Sequence, residues 1–512
     1  VNGEERSVTT SNVVITVDIG GSAAKAYAFD VRAKRAIGRV SVTYPARRAK
    51  SDPGTFEPEE WWDAAAQALA SLVQNLDLPS SRYLGVTVSA IRMPLVLIDR
   101  HGSPMGPSLL NKDRRALANV ADIVAAIGAS RLYEITGHFG APEFGLSKLL
   151  WFRRTYPDRW RSIATVLQLH DWFIYRLSGV AASEPSSAAM SQMLEVQKSS
   201  WAIDMLDSLA IPSGYFPELH KAGTAIGGLI ASVAAQTGLP VGLPVHVGGG
   251  DTHLSVISAG PWDANVPVLV AGTTAPVHVA LDYVPPAPAR FPLLLSEHAL
   301  KERWTLESNA GGVGEIITRT IDLGEIAGPA LEEKLRDRGF VLDRTPGVPL
   351  TVIGGNPFFG PKGWAQVAPP TIFGLGPEHR GSDVYSAALL GGSYAVQSVI
   401  STLVSQLGLT PPFIRMTGGM STSTRWCQEI ADVTETNVVV RPLDEVAGLA
   451  GAALVVGEDL VATTSHGDEV TYSPSTSSTR LHQEGLESYL ELYTLASHKP
   501  TEEKVITNAC VS

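Results

Sequence analysis

The residues of this chain best placed to do chemistry lie in the stretch Val245-His-Val-Gly-Gly-Gly-Asp-Thr-His-Leu-Ser-Val256. It reads as a buried strand that enters a glycine turn, after which an acidic residue opens a helix. Three glycines let the backbone bend and leave room for a ligand against it. Asp251 falls where the first N–H groups of a helix need an acceptor, so one role for it is an N-cap. The other role is chemical: a carboxylate at that point can take a proton from a substrate hydroxyl. The segment alone leaves both open.

Two further stretches offer phosphate chemistry. Val13-Val-Ile-Thr-Val17 is a continuous β-branched run ending in Asp18-Ile-Gly-Gly-Ser-Ala-Ala-Lys25, after which Ala26-Tyr-Ala-Phe29 resumes an extended pattern. The expected hairpin presents the N–H groups of its glycines, Gly21 among them, together with the Ser22 hydroxyl and the Lys25 ammonium. Such a turn can hold phosphate oxygens, with Asp18 at its mouth holding Mg²⁺ through water; it also reads as a plain glycine hairpin. Val266-Pro-Val-Leu-Val270 then leads into Ala271-Gly-Thr-Thr-Ala275 and Pro276-Val-His-Val-Ala280, again strand, small Gly/hydroxyl turn and strand. Pro267 sits near the start of its strand, where a sheet tolerates it. Two such hairpins point to two halves built on one plan, with one nucleotide shared between them.

The elements that must position these groups follow the same mixed α/β pattern. Glu57-Pro-Glu-Glu-Trp-Trp-Asp63 opens a helix with proline and acids in its first turn, and Trp61 and Trp62 read as core. Tyr83–Val88 and Leu95–Ile98 read as strands flanking a break that holds Arg92, on its own most simply a surface arginine. Helices follow from Phe144, just after Glu143, and over His170–Gly179, where Asp171 reads as a cap and His170, like His253, as a satisfied structural histidine. Later come Ser308-Asn-Ala-Gly-Gly-Val-Gly314 and Met416-Thr-Gly-Gly-Met-Ser-Thr-Ser-Thr-Arg-Trp426, where paired glycines at a strand-to-helix junction let a flat ring approach the backbone. Asn437–Arg441 reads as a strand and Ala447–Ala453 as a small-residue helix suited to close packing. From about Thr463 a loop is expected, then an amphipathic helix around Leu481–Leu495 and a frayed tail.

Bulk properties bound the reading. A chain of 512 residues is too long for one core, so two large domains are expected. Its 44% hydrophobic and 18% charged residues are those of an ordinary soluble globular protein. Forty basic against 51 acidic residues, a net charge of −11, argue against nucleic acid or an anionic membrane as main partner. The two cysteines, Cys427 and Cys510, have no metal-ligand spacing and read as reduced thiols. The polar N-terminus lacks a signal-peptide core and no uninterrupted apolar run approaches a membrane span, so the expected compartment is the cytoplasm.

Taken in order, these segments resemble the FGGY family of carbohydrate kinases. The matching pieces are Asp18-Ile-Gly-Gly-Ser, Asp113-Arg-Arg-Ala116, Lys148-Leu-Leu-Trp-Phe152, Asp171-Trp, Gly249-Gly-Asp251, Gly272-Thr-Thr274, Ile372-Phe-Gly-Leu375 and Gly418-Gly-Met-Ser421. Each is modest, but the ordered series from about Val13 to Val456 is specific. The resemblance implies a two-domain α/β fold of the actin-like ATPase (ribonuclease H-like) type, with the active site in the interdomain cleft and closure over it as the gate. Residues 1–259 would be the N-terminal domain, with the sugar site, the first hairpin and the catalytic aspartate. Residues 260–475 would be the nucleotide-binding C-terminal domain, and 476–512 a helix and tail.

By the same resemblance Asp251 is the general base and Asp18 helps place Mg²⁺. Gly21, Ser22 and Lys25 on one side, and Gly272 and Thr273 on the other, flank the transferring phosphate. Gly311, Gly418 and Gly419 face the nucleotide, with Ser423 near the adenosine. Arg92 matches an arginine that binds substrate hydroxyls and Glu143 a substrate-loop tyrosine in the glycerol kinase branch; Met93 and Thr252 complete the substrate set. ATP and Mg²⁺ are the implied cofactors and a small sugar or polyol the partner; dimers are common among relatives, which makes a homodimer compatible with the sequence.

Three positions depart from the family pattern. Met93 stands where relatives carry Glu or His, Asn111 replaces a tryptophan, and Leu390 replaces an acidic residue. Losing a polar contact at Met93 implies a less hydroxylated substrate carbon there, or a contact supplied from elsewhere. Local features resemble the xylulokinase and autoinducer-2 kinase branches, which makes a ketopentose such as xylulose the expected substrate and a linear diol its near rival. A sugar- and nucleotide-binding regulator without catalysis is the alternative of a different class.

Overall fold

The computed structural model describes residues 11–44, 54–111, 113–261, 263–287, 293–300, 303–323, 350–353, 371–377, 379–441, 446–464, 469–475 and 479–497. Cys510, the first ten residues, the tail beyond 497 and part of the loop expected after Thr463 lie outside them. The chain divides into two compact units. Unit 1 comprises Val1–Pro261, Ser296–Arg303 and Asp444–Ser465; unit 2 comprises Trp262–Leu295, Trp304–Leu443 and His466–Ser512. A contiguous division at residues 259 and 260 does not include the two late segments that return to unit 1.

In unit 1, β1 (Val13–Ile19) is buried along its whole length, as its β-branched run requires. It pairs antiparallel with β2 (Ala23–Asp30), which pairs antiparallel with β3 (Arg35–Thr43). On its other side β1 runs parallel to β4 (Tyr83–Ala90). Beyond the short strand β5 (Leu95–Ile98), which pairs antiparallel with β6 (Thr165–Gln168), the chain returns to the main sheet as β7 (Ala225–Gly228) and β8 (Pro244–Gly250). The spatial order is β7-β8-β4-β1-β2-β3, with β8 parallel to β4 and antiparallel to β7.

Helix α1 (Pro58–Leu76) packs on β2 and β3, and both Trp61 and Trp62 are buried, as expected. Helices α2 (Gly145–Thr155), α3 (Leu169–Ser178), α4 (Pro185–Ala189) and α5 (Asp251–Ala259) complete the part that carries the site. The small-residue helix forms over Val446–Val456, in unit 1 rather than unit 2. It packs on α5 and β1, and its small residues are obligatory: a Cβ on Gly451 would lie 2.2 Å from Thr16 Oγ1.

Unit 2 repeats the plan. Strand β9 (Val268–Val270) pairs antiparallel with β10 (Pro276–Leu281), and β10 with β11 (Trp304–Asn309). On its other side β9 runs parallel to β12 (Ile414–Thr417), β12 parallel to β13 (Val438–Val440), and β13 antiparallel to β14 (Val470–Tyr472). Read outward from β3 and from β11, the two sheets show the same sequence of antiparallel, antiparallel, parallel, parallel and antiparallel pairings. The two expected hairpins are β1–β2 and β9–β10, so they occupy equivalent places.

Helices α6 (Val313–Leu323), α7 (Gly381–Leu407) and α8 (Thr424–Thr434) pack together in unit 2, and α9 (Thr479–Ser497) lies against α7 and α8. Among the described residues α7 alone is long and apolar enough to cross a membrane by length and composition, but 72% of its most apolar stretch is buried. It is the core helix of this unit.

Candidate active site

Asp251 is the first residue of α5, and Gly250 is the N-cap. The cap role considered from sequence therefore falls to the glycine. The Asp251 carboxylate turns back on its own helix: Oδ1 accepts from Thr252 N–H at 2.8 Å and from Thr252 Oγ1 at 3.1 Å. Burial pushes its pKa up to about 6; the Arg92 guanidinium opposes this rise and the Asp18 carboxylate adds to it. Thr252 is buried beside it.

Arg92 is not a free surface arginine. A Cβ placed on Gly250 would meet the Arg92 stem at 2.7 Å, so this glycine lets the arginine lie across the end of β8 beside Asp251. Met93 is 6% exposed and has a φ of +86°, a left-handed value costly for a side chain of its size. Its carbonyl accepts from the Lys148 ammonium at 3.3 Å. Lys148 is buried, which lowers its pKa, while the nearby Glu143 and Asp113 carboxylates oppose the shift. Glu143 is fully buried and its pKa is raised by burial; Oε1 accepts from Arg114 Nη1 at 3.0 Å, and Oε2 has no hydrogen-bond partner among the described residues. The departure at Met93 is thus accompanied by a buried acid–base cluster one step away.

The first hairpin brings its charges together. Asp18 and Lys25 face each other across β1 and β2, and Lys25 lies in the strand rather than in the turn. Lys25 Nζ donates to Asp18 Oδ2 at 3.2 Å, and Ser89 Oγ on β4 donates to Oδ1 at 2.8 Å. Gly21 and Ser22 are exposed at the tip, where Ser22 carbonyl accepts from Tyr44 N–H at 3.1 Å. Asp18 is 8% exposed and close enough to Asp251 to act on its charge. A pair of hard carboxylate oxygens of this kind fits Mg²⁺, which keeps most of its waters and borrows phosphate oxygens.

In unit 2 the second hairpin carries no charge. Gly272 N–H donates to Thr274 carbonyl at 2.9 Å, and Thr273 is exposed, its carbonyl accepting from Glu315 N–H at 3.1 Å at the start of α6. Gly311, with a φ of +92°, donates its N–H to Asn309 Oδ1 at 2.8 Å. Gly418 has a φ of +94° and follows β12, Gly419 begins a short 3₁₀ turn, and Ser423 caps α8 with its side chain. A Cβ on Gly418 would lie 2.5 Å from Ala271 carbonyl, whereas one on Gly419 would meet nothing within 4 Å. The junction is therefore tightly packed on one side and open on the other.

The structure brings together Asp251, Thr252, Arg92 and Asp18 in one unit and Gly272, Thr273 and Gly311 in the other. Sequence reasoning missed Ser89, Lys148 and Arg114 as partners of Asp18, Met93 and Glu143. Serine at the end of a buried strand and lysine on an apolar helix face were the available signals.

Two hairpin-bearing sheets of one pairing order define a duplicated α/β fold of the actin-like ATPase type. Residues 13–258 match the FGGY family of carbohydrate kinases, N-terminal domain, and residues 269–457 match its C-terminal domain. The chain belongs to this family, whose members use ATP to phosphorylate an alcohol group of a sugar or related acceptor, and it is a carbohydrate kinase. It is 28% identical to a xylulose kinase of Escherichia coli over 400 residues, 78% of this chain and 80% of that one. It is 25% identical to an autoinducer-2 kinase of Klebsiella pneumoniae over 505 residues, 94% and 93% of the two chains. The solved structure of a ligand-bound xylulose kinase from Lactobacillus acidophilus superposes with a TM-score of 0.80 at 19% identity, covering 95% of this chain and 99% of that one, a likeness of fold.

Proposed function

We propose that the chain transfers the γ-phosphate of ATP to a hydroxyl of a small ketose, a ketopentose such as xylulose, with Asp251 as general base. The observation that carries this reading is the Asp251 carboxylate itself: it opens a helix at the end of a glycine strand, with a pKa raised to about 6 between Arg92 and Asp18. A base of that strength is ionised at neutral pH and still basic enough to take a hydroxyl proton as the oxygen becomes acidic. The acceptor oxygen forms its bond to the γ-phosphorus as the bond to the β,γ-bridging oxygen breaks. The proton goes to Asp251 and the electron pair leaves with ADP.

Arg92, Met93, Glu143 and Thr252 are assigned to the acceptor. Gly21, Ser22 and Lys25 are assigned to the phosphates, and Gly272, Thr273, Gly311, Gly418, Gly419 and Ser423 to the nucleotide. Mg²⁺ would be held at Asp18, where it supplies positive charge to the phosphate oxygens. Lys25, now paired with Asp18, is then free to add a second positive charge nearby.

One observation favours a second acceptor. The buried, apolar Met93 side chain suits a carbon bearing no hydroxyl, as in a linear diol. ADP release with Mg·ATP, followed across ketoses, polyols, aldoses and linear diols, separates the two acceptors. The expected result is release that depends on a ketopentose and falls roughly 10²–10⁴-fold in Asp251→Asn, the usual worth of a positioned base. Release driven by the diols alone would replace the ketopentose. Native-like turnover in Asp251→Asn would remove Asp251 as the base, and ATP binding without turnover on any acceptor would favour a regulator.

A further inference from the structure

Strand β8 does not run evenly beside β4. Val245 and His246 face Val86 and Thr87, but Gly249 and Gly250 face Ser89 and Ala90, so three steps along β8 match two along β4. One extra residue is accommodated at Val247–Gly248, a bulge of the kind that re-aims the side chains beyond it. Asp251 is the first side chain past the glycines of that bulge.

The bulge is closely held. Val247 N–H and carbonyl bond to the loop beside β7, at 2.9 Å to Thr224 carbonyl and 2.7 Å from Gly223 N–H. Gly248 approaches β4 so closely that a Cβ there would lie 1.7 Å from Val88 carbonyl. Its N–H donates instead to a side chain, His170 Nε2 on α3, at 3.1 Å. A buried backbone N–H without an acceptor is costly, so this imidazole completes the bulge.

The imidazole is itself fixed. His170 is 2% exposed, and because Nε2 accepts, the proton belongs on Nδ1, which lies 3.1 Å from Asp171 Oδ1. The other Asp171 oxygen accepts from Gln168 N–H at 3.0 Å and ties the unit to the start of α3. The buried Glu184, N-cap of α4, holds the N–H groups of Ser186 and Ser187 and lies 3.7 Å from where a Gly249 Cβ would be.

We propose that His170 is a positioning residue for the phosphotransfer: its Nε2 lone pair holds the Gly248 bulge and thereby aims the Asp251 carboxylate. This role rests on Asp251 being the base. It differs from that of a histidine that merely fills the core, because it depends on one acceptor atom at one distance from the Cα. Leucine at 170 keeps the volume and removes the acceptor. Glutamine carries an acceptor oxygen near the reach of Nε2, and asparagine carries the same group one carbon short.

The test measures kcat, the KM for ATP, thermal midpoint and hydrogen exchange at the Gly248 amide for His170→Leu, His170→Gln and His170→Asn, beside the native protein and Asp251→Asn. We expect kcat to fall roughly 10–100-fold in the Leu and Asn variants, a loss typical of a misplaced catalytic group. The KM for ATP should stay within about twofold, exchange at Gly248 should quicken, and Gln should recover most of kcat. If leucine does not fold, the contrast between Gln and Asn decides alone. Equal kcat in Gln and Asn, or native kcat in Leu with Gly248 unprotected, would overturn the proposal. Asp251→Asn with native turnover would overturn the base assignment itself, an outcome distinct from the others.

Discussion

The two hairpins occupy the same place in sheets of the same pairing order, yet they are chemically unlike. In β1–β2 an aspartate and a lysine face each other in register, with Ser89 fixing the aspartate from the neighbouring strand. In β9–β10 the turn Ala271–Ala275 offers backbone N–H groups and the hydroxyls of Thr273 and Thr274. A repeated backbone therefore supplies two turns, and side chains make one charged and the other neutral. The charged hairpin shares its unit with Asp251 and acts on its charge. Where charge develops in a phosphoryl transfer, hydrogen bonds that involve an ionised group are roughly twice as strong as neutral ones.

The largest effect should come from breaking this asymmetry at its acidic end. Asp18→Ala is expected to lower kcat by about 10²-fold or more, comparable to losing a strong electrostatic stabiliser. Thr273→Val should cost about tenfold or less, chiefly in the KM for ATP, since it removes one hydroxyl from an exposed turn. Steady-state kinetics with ATP varied at saturating acceptor measures both. A larger loss from Thr273→Val than from Asp18→Ala would reverse the division of labour.

The pH profile sharpens the same comparison. As the proposed base Asp251 would work ionised, so kcat/KM should rise with pH through about 6 and level off above it. Asp18→Asn removes a like charge that raises the Asp251 pKa, so the acid limb should move to lower pH in the residual activity. Arg92→Met removes a cation that lowers it, so the limb should move to higher pH. Limbs that stay in place in both variants would show that another group titrates.

Stability carries the opposite sign. The pKa of Asp251 is 3.8 as a free carboxylate and about 6 in the fold, so the folded chain holds the proton more tightly than the unfolded one between those values. Native stability is therefore lost as pH rises from about 4 to 6, and the loss persists above 6. Asp251→Asn should raise the melting temperature by roughly a few degrees at pH 7–8 and leave it nearly unchanged below pH 4. Calorimetry at the two pH values checks this, and a lower melting temperature at pH 8 would contradict the cost of this partly buried charge.

Much of this organisation was legible in the sequence. The β-branched run before Asp18 and its counterpart before Gly272 announced two buried strands, and the repeated strand–turn–strand pattern announced a doubled fold. The Gly-Gly-Gly-Asp turn announced Asp251 at the opening of a helix, though not that the cap position falls to Gly250. The features that were not legible depend on contacts distant in sequence. Arg92 looked like a surface residue until Gly250 made room for it beside Asp251. His170 looked like a core histidine because the bulge that needs its lone pair arises from a register shift between two strands, which no local pattern encodes. The return of Val446–Val456 to unit 1 was hidden for the same reason: its small residues foretold close packing but not the partner.

The smallest expected effect isolates the turns from the fold. A Cβ on Gly21 would meet nothing within 4 Å, and one on Gly272 would meet only Thr274 carbonyl at 3.8 Å. Neither glycine has a left-handed φ, so alanine fits either turn without strain. Gly21→Ala and Gly272→Ala should therefore leave the melting temperature within about 1 °C of native, since exposed unstrained changes of this kind shift stability by only a few tenths of a kcal/mol. A ligand lying against the backbone would still feel each methyl group, and the KM for ATP should rise several-fold in both. Gly418→Ala provides the contrast, because its φ of +94° and the Ala271 carbonyl at 2.5 Å make it a folding defect before it is a binding one. Unchanged ATP kinetics in both open-turn variants would mean that phosphate does not approach these turns, whatever their likeness.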